Sequence, residues 1–243
     1  MAVERIAYMA GGLACNGALV WDEKVTHPRP LLLMAPNWLG VTDDAIKRTQ
    51  MMAGDRYIGF VVDMYGHGKT SAGPPESAAL MEPIKTNPAE RRVRMTAALD
   101  TLTLEARRRG IGDGNRKAAV GFCFGGGNVL ELARSGADVQ AVVCLHGDLT
   151  TSQPAVAGSV RSAILVLHGA KDPVAPKAER DALEAELEAA GARWQMLTFG
   201  GLVHSFAEAE ANVKGVAEYN PAAARQSYAM IDSFISDAFA GRL

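Results

Sequence analysis

The sequence predicts an α/β protein with a mainly parallel central sheet and helices on both faces. Short buried apolar runs alternate with amphipathic stretches along almost all of its 243 residues, and strands joined by helices produce that alternation. Neither an internal repeat nor a break in composition divides the chain, so we expect residues 1–243 to form a single domain. The hydrophobic content of 48% is enough for one sizeable core.

Eight segments are predicted to be strands, because each is a short apolar or alternating run bounded by turn or helix signals. They are Val3–Met9, Leu13–Trp21, Leu31–Ala35, Tyr57–Val62, Lys117–Phe122, Val139–Leu145, Ala163–Leu167 and Arg193–Phe199. The glycine pair Gly11-Gly12 is expected to turn the first strand into the second.

Five helices are expected between or after these strands, from capping residues and amphipathic spacing. They run from the cap at Thr42 to near Gly54, over Pro88–Arg109, onward from Asn128, over Pro176–Ala190 and over Ala222–Phe239. Residues 66–87 are rich in Gly, Pro and Ser and are predicted to be the longest irregular stretch. The sequence leaves open whether they form a lid.

Charge and composition argue against several classes of function. The net charge is −2, which favours neither nucleic acid nor an anionic membrane as a partner. No apolar window reaches the roughly 18–20 residues of a membrane span, and the N-terminus does not resemble a secretory signal. The three cysteines, Cys15, Cys123 and Cys144, are far apart, which fits a cytoplasmic protein better than a disulfide framework or a zinc site.

The sequence Gly121-Phe122-Cys123-Phe124-Gly125 has the spacing of a nucleophile elbow, a strained strand-to-helix turn that displays a reactive side chain. Glycines two residues to either side of the nucleophile avoid collisions in so tight a turn. The dipole of the following helix would favour a thiolate at Cys123. A buried cysteine that acts as a small hydrophobic residue is the alternative interpretation.

Two further residues could activate this thiol. Asp172 follows the strand Ala163–Leu167, and His204 follows the last strand. The chain order nucleophile, acid, base is that of the triad found on such elbows, with His204 as base and Asp172 as the group that orients it. Alternatively, Asp172 caps a turn before Pro173 and His204 is a surface loop residue.

The remaining candidate residues lie in loops that follow strands. The backbone N–H groups of Phe124 and Trp38 are the candidate donors of an oxyanion hole. The candidate substrate contacts are Asn37, Trp38, Tyr65, His146 and Phe206. No histidine pair or carboxylate group has the spacing of metal ligands, so no metal is expected.

With these motifs assembled, the sequence resembles the dienelactone hydrolase family of α/β hydrolases. The segments that carry the resemblance are Pro36–Val41, Val62–Gly66, Gly121–Gly126, His168–Pro173 and His204–Phe206. The resemblance implies an α/β-hydrolase fold, a Cys123–His204–Asp172 triad, and hydrolysis of an ester or lactone. It also implies that neither a metal nor an organic cofactor is needed.

The chain departs from the family pattern at two positions. Family members carry a glutamate that contacts the resting thiol where this chain has Asn37, and a substrate-binding arginine where it has Glu208. Because an acid there would repel a carboxylate, we expect the natural substrate not to be the dienelactone itself. The basic cluster Arg91-Arg92-Arg94 could replace the arginine, but its place on a helix flank favours a solvated face.

The leading hypothesis is a cysteine hydrolase of activated aryl or enol esters or lactones that forms a thioacyl-enzyme. One alternative is promiscuous attack on aryl phosphotriesters by the same triad. Another is a thiol-dependent transferase or peptidase, and a third is a non-catalytic homologue that binds a small molecule. The expected partner is a small-molecule ester or lactone, and the chain is expected to be a monomer or a homodimer.

Overall fold

The computed structural model describes residues 1–243 and contains ten strands and six helices. The strands are β1 (Ala2–Ala10), β2 (Leu13–Trp21), β3 (Arg29–Ala35), β4 (Ile58–Val61), β5 (Gly112–Phe122), β6 (Ala141–Leu145), β7 (Ala163–Gly169), β8 (Arg193–Phe199), β9 (Asn212–Val213) and β10 (Ala217–Glu218). The helices are α1 (Asp43–Ala53), α2 (Pro74–Lys85), α3 (Pro88–Arg108), α4 (Phe124–Arg134), α5 (Lys177–Ala189) and α6 (Pro221–Phe239). None of the helices combines the length and the apolar content that crossing a membrane requires.

Strands β1 to β8 form one mostly parallel sheet, so the predicted α/β class is confirmed. By their internal contacts the residues divide into two compact units, Met1–Ala119 and Val120–Leu243. Strand β5 begins in the first unit and ends in the second. The expectation of a single domain stays a prediction.

The first unit opens with an antiparallel hairpin of β1 and β2, in which Ala10 faces Leu13 across the turn. Gly11 and Gly12 both have positive φ angles, 54° and 87°, which the turn types that match strand twist require. The hairpin predicted from the glycine pair is therefore confirmed. Strand β4 then pairs antiparallel with β2 and parallel with β3.

Helix α2 corrects the prediction that residues 66–87 are irregular throughout. Proline is favoured in the first turn of a helix, where its missing N–H would have no helical partner, and Pro74 opens α2. The Ser77 hydroxyl donates to the Gly73 carbonyl at 3.0 Å and fastens this first turn. The glycines and prolines that suggested a loop therefore mark where a helix begins.

In the second unit, β6, β7 and β8 are parallel, with Ala141 opposite Ala163 and Ala163 opposite Arg193. Parallel strands bring their carboxyl ends to the same edge of a sheet. The loops that begin with His146, Ala170 and Gly200 therefore leave from one edge.

A buried ion cluster joins α4 to α5 in the second unit. Arg134 lies in the last turn of α4, with its Nη1 atom 3.0 Å from Oε1 of Glu131 and its Nε atom 2.8 Å from Oε1 of Glu186. It also donates to the Leu149 carbonyl at 3.1 Å, and Glu186 accepts the backbone N–H of Ala155 at 2.8 Å. The cluster thus ties the helix that follows the elbow to a neighbouring helix and a loop.

Candidate active site

Cys123 is the single residue between the end of β5 and the start of α4. Its backbone angles, φ 53° and ψ −119°, lie in a region that side-chain-bearing residues adopt only when the surrounding structure enforces it. The backbone N–H of Cys123 donates to the Leu145 carbonyl at 3.1 Å, and its own carbonyl accepts from Gly126 at 2.9 Å. Its side chain is partly exposed. The predicted elbow geometry is therefore present.

Gly121 permits this turn because no Cβ atom fits at its position. An added Cβ would lie 2.0 Å from the carbonyl oxygen of Gly125 and 2.7 Å from the backbone nitrogen of Gly126. Both obstacles are backbone atoms of the first turn of α4, so they cannot move aside without unwinding it. The steric reason given for this glycine from the sequence is confirmed.

Helix α4 begins at Phe124 and not at Asn128, which corrects the predicted start. Glycine is unfavourable in the interior of a helix, so the run Gly125–Gly127 suggested a loop. The run is helical because a tight turn with close packing needs small residues. Gly126, for example, would place a Cβ only 2.7 Å from the Cα of Gly147. As a result the Cys123 thiol lies directly at the N-terminus of a helix.

Asp172 and His204 contact one another in the same unit as Cys123. Atom Nδ1 of His204 lies 2.8 Å from Oδ2 of Asp172, while Oδ1 accepts the backbone N–H groups of Val174 and Ala175 at 2.8 and 3.1 Å. Burial opposes the charge of Asp172, but the hydrogen bond and charge of His204 outweigh it and keep its pKa below the usual value. The ionised carboxylate directs Nε2 of His204 away from itself.

Cys123 also affects the protonation of His204. Burial lowers the pKa of His204, but electrostatic interaction with Cys123 and the hydrogen bond to Asp172 outweigh it and raise that pKa to about 10. The Nε2 atom of His204 is buried and makes no hydrogen bond within the geometric limits. The structure thus places His204 in contact with Asp172, and the catalytic triad of these two residues with Cys123 stays a prediction.

The backbone of His204 is fixed by the short hairpin of β9 and β10. Its N–H donates to the Val216 carbonyl at 3.0 Å, and its carbonyl accepts from Glu218 at 3.1 Å. His204 also forms an isolated parallel bridge with Ala217. His204 is therefore held both by the hydrogen bond of its side chain to Asp172 and by the hydrogen bonds of its backbone to Val216 and Glu218.

His146 and Phe206, two candidate substrate contacts, belong to an aromatic cluster behind His204. Both are fully buried, and their ring centroids lie 5.2 Å apart in an edge-to-face arrangement. The His146 ring also meets the His204 ring edge-on at 5.4 Å and the Phe122 ring at 6.0 Å. Sequence reasoning placed these residues near the site but did not detect the cluster, because edge-to-face packing leaves no signature in spacing.

A model of the dienelactone hydrolase family matches residues 16–239 of the chain. This chain is a member of the dienelactone hydrolase family. The match extends over nearly all of the sequence, including the elbow and the segments that carry Asp172 and His204. The predicted α/β-hydrolase fold is thereby confirmed.

Solved structures agree with this assignment. The chain is 31% identical to a dienelactone hydrolase-like promiscuous phosphotriesterase from metagenomic libraries, with 98% of each chain covered and a TM-score of 0.88. It is 33% identical to a protein called m3DLH, with the same coverage and a TM-score of 0.90. A putative dienelactone hydrolase from Klebsiella pneumoniae shares 19% identity over 97% of this chain and 98% of its own, with a TM-score of 0.79, and supports the fold alone. No curated protein matches significantly.

Glu208, for which the sequence analysis expected a departure from the family pattern, is a buried residue of the histidine loop. The Ser205 hydroxyl donates to its Oε2 atom at 3.0 Å, and the Glu208 N–H donates to the Ser205 carbonyl at 3.0 Å. Ser205 has a φ of 54°, so these bonds help to hold a strained residue next to His204. The spacing Ser-x-x-Glu, known from helix caps, could have indicated this pair in advance.

The candidate contacts of the first unit form a cluster of their own. The Tyr65 hydroxyl donates to the Trp38 carbonyl at 2.7 Å, and Oδ1 of Asn37 accepts the Leu39 N–H at 3.0 Å. The carboxylate of Asp63 organises the loop that carries Tyr65. It accepts four backbone N–H groups, those of Asn16, Tyr65, Gly66 and Gly68. The substrate contacts at Asn37, Trp38 and Tyr65 stay predictions.

The basic cluster of α3 is not the solvated face that its position suggested. Arg91 is fully buried and donates to the Lys85 carbonyl at 3.3 Å. Arg94 pairs with Glu90 at 2.8 Å and donates to the Met64 carbonyl. Aliphatic stems let arginines line a buried helix face, so basic composition alone did not predict exposure.

Proposed function

We propose that this dienelactone hydrolase family member is a cysteine-dependent hydrolase of activated, neutral esters or lactones. The observation that carries the proposal is the hydrogen bond of 2.8 Å between His204 and Asp172, in a chain whose Cys123 occupies a strained turn at the N-terminus of α4 and interacts electrostatically with His204. An acid, an imidazole and an elbow nucleophile in this relation are the parts of acyl-transfer catalysis.

In the first half-reaction, the Cys123 thiolate attacks the acyl carbon and forms a carbon–sulfur bond. The raised pKa of His204 keeps a proton on the imidazole while the thiolate faces it. When the tetrahedral adduct collapses, the carbon–oxygen bond of the leaving group breaks and the departing oxygen takes that proton. A thioacyl-enzyme and a neutral His204 remain.

In the second half-reaction, neutral His204 removes a proton from water, and the oxygen of that water attacks the thioester carbon. The carbon–sulfur bond then breaks, the acid is released, and the Cys123 thiolate again faces a protonated His204. Asp172 supports the imidazolium in both halves. The negative oxygen of each adduct needs donors, and we assign one of them to the N–H group of Phe124, at the start of α4.

The substrate class follows from the chemistry of sulfur. A thiolate is a good leaving group, so the adduct formed from an alkyl ester would expel sulfur and return to substrate. Aryl and enol esters, as well as enol lactones, avoid this because their own leaving groups are better. The engagement of Glu208 with Ser205 supports neutral substrates, since the residue that binds a carboxylate in the family is here an acid.

We expect a neutral p-nitrophenyl ester to have a higher kcat/KM than a dienelactone, because the pocket lacks the family's carboxylate-binding arginine. Steady-state kinetics on both substrates, with Cys123→Ala as the blank for each, measures this. A preference for the dienelactone would contradict the neutral-substrate proposal. Unchanged ester turnover in Cys123→Ala would contradict the cysteine mechanism itself.

A second candidate activity is hydrolysis of aryl phosphotriesters, favoured by the likeness to a promiscuous phosphotriesterase over 98% of both chains. The thiolate would attack phosphorus, the aryloxide would leave, and water would cleave the phosphorus–sulfur bond. We expect turnover of an activated aryl phosphotriester to exceed that of Cys123→Ala. Equal rates for wild type and Cys123→Ala would remove this candidate.

A further inference from the structure

The side chain of His146 is wholly enclosed at the place where the elbow and the base approach one another. Its relative exposure is 0%, and its ring meets those of Phe122, His204 and Phe206 at centroid distances of 6.0, 5.4 and 5.2 Å. We propose that His146 is a positioning residue, which holds the imidazole of His204 in the orientation that faces Cys123. The inference rests on the proposed function, because it assigns a partner to the proposed base.

The His204 ring needs a second restraint besides Asp172. The hydrogen bond at Nδ1 fixes one atom of the ring, but a ring held at one atom can still tilt about that point. The His146 ring stands edge-to-face against it, with an interplanar angle of 66°, and such contacts have a preferred geometry. Together the two contacts limit where Nε2 can point.

The His146 ring is itself supported on its far side. Phe206 packs edge-to-face against it at 80°, and Phe199 packs against Phe206 at a centroid distance of 5.0 Å. Close-packed rings of this kind transmit displacement because they leave no free volume. The orientation of His204 is thus set by a stack that reaches back to the end of β8.

The backbone of His146 joins this stack to the elbow. His146 has a φ of 35°, an angle that needs enforcement in a residue with a side chain, and its N–H donates to the Leu167 carbonyl at 2.7 Å. The next residue, Gly147, is packed against Gly126 of α4. One short segment therefore touches both the helix behind the nucleophile and the ring of the base.

Complete burial separates this role from a substrate contact. A residue that binds substrate must offer it some surface, whereas His146 has none in this structure. The two roles also predict different kinetics. A lost substrate contact raises KM, whereas a misdirected base lowers kcat.

The test compares His146→Ala, which removes the ring, with His146→Phe, which keeps an aromatic ring without nitrogens. We measure kcat and KM on a neutral p-nitrophenyl ester and the rate at which iodoacetamide alkylates Cys123 in the native protein. Cys15 and Cys144 are buried, so mass spectrometry can follow Cys123 selectively. Phe60→Leu serves as the control, because it removes a fully buried ring that packs against Tyr8 and does not belong to this stack.

We expect His146→Ala to lower kcat and the alkylation rate about tenfold or more, since small misplacements of a catalytic group have effects of that order, with KM changed less than about threefold. His146→Phe and Phe60→Leu should keep both rates within about threefold of wild type. A rise in KM with unchanged alkylation in His146→Ala would overturn the inference. So would a His146→Phe variant as slow as His146→Ala, because that result would assign the effect to a nitrogen.

Failure of the proposed function has a separate signature. If Cys123 of the wild type is alkylated no faster than free cysteine at neutral pH, and His204→Ala leaves that rate unchanged, the base itself is wrongly assigned. If His204→Ala lowers the rate and His146→Ala does not, the proposed function survives and only the role of His146 is refuted.

Discussion

Asp172→Asn is expected to lower kcat by about 10³- to 10⁴-fold, the order found when the acid of a triad loses its charge but not its shape. An asparagine amide opposite Nδ1 of His204 would favour the tautomer that carries its proton on Nε2. That tautomer cannot accept a proton on the side of Cys123. The variant also loses the carboxylate that helps to raise the pKa of His204.

Steady-state kinetics on a neutral aryl ester measures this effect. The side-chain oxygen of the introduced asparagine can still accept from Val174 and Ala175, which now bond to Oδ1 of Asp172, so the loop should remain folded. Asp113→Asn, a replacement of the same kind at a surface pair with Arg116, is the matched control and should be fully active. Activity of Asp172→Asn within about tenfold of wild type would argue against Asp172 as the orienting acid.

A pH titration of stability gives a second measure of the same residue. The pKa of Asp172 is lower in the folded chain than its ordinary value of 3.8. The carboxylate therefore stabilises the fold above pH 3.8, and this contribution is lost as the pH falls below that value toward the folded pKa. Asp172→Asn removes this share of the acid sensitivity.

The largest expected loss of stability comes from Arg134→Leu, at about 3–5 kcal/mol, because it leaves buried carboxylates without their cation. Glu131 is wholly buried and Glu186 is 11% exposed at its side chain. Neither can recover the solvation that it gave up on folding. Chemical denaturation, with the free energy of unfolding extrapolated to water, measures the difference.

Two further variants serve as controls for the stability of Arg134→Leu. Arg116→Leu breaks an exposed pair with Asp113, and we expect it to cost less than about 1 kcal/mol. The double variant Arg134→Leu with Glu131→Leu removes one stranded charge together with the cation, so it should be more stable than Arg134→Leu alone. A single variant as stable as Arg116→Leu would show that water reaches the cluster.

The sequence predicts most reliably where function depends on local spacing. The elbow could be inferred because the clash at Gly121 involves residues only four and five positions away. The order of Cys123, Asp172 and His204 along alternating strands allowed their convergence to be anticipated. The contact between Asp172 and His204 is now observed, whereas the catalytic roles of the three residues stay predictions.

The features that could not be predicted from the sequence depend on contacts between segments that are distant in the chain. In some of them the surrounding packing produces a helix where the amino-acid composition of the segment favours a loop. Pro74 begins a helix in a stretch whose composition indicated a loop, and the helical run Gly125–Gly127 includes Gly126, whose packing against Gly147 leaves no room for a Cβ atom. The burial of Arg91 and the stacking of His146 arise only when several elements meet. The sequence of a single segment therefore contains no pattern that predicts the burial of Arg91 or the stacking of His146.

The backbone clash at Gly121 constrains how this protein can diverge. Every amino-acid replacement that a single nucleotide change can produce at a glycine codon adds a Cβ atom, so position 121 has no tolerated one-step neighbour. Cys123 is different, because its strained backbone angles are enforced by its surroundings and a cysteine codon lies one nucleotide change from serine. Lineages that descend from this chain could therefore exchange the sulfur at position 123 for oxygen while keeping the glycine, and the turn would be inherited more faithfully than the side chain it displays.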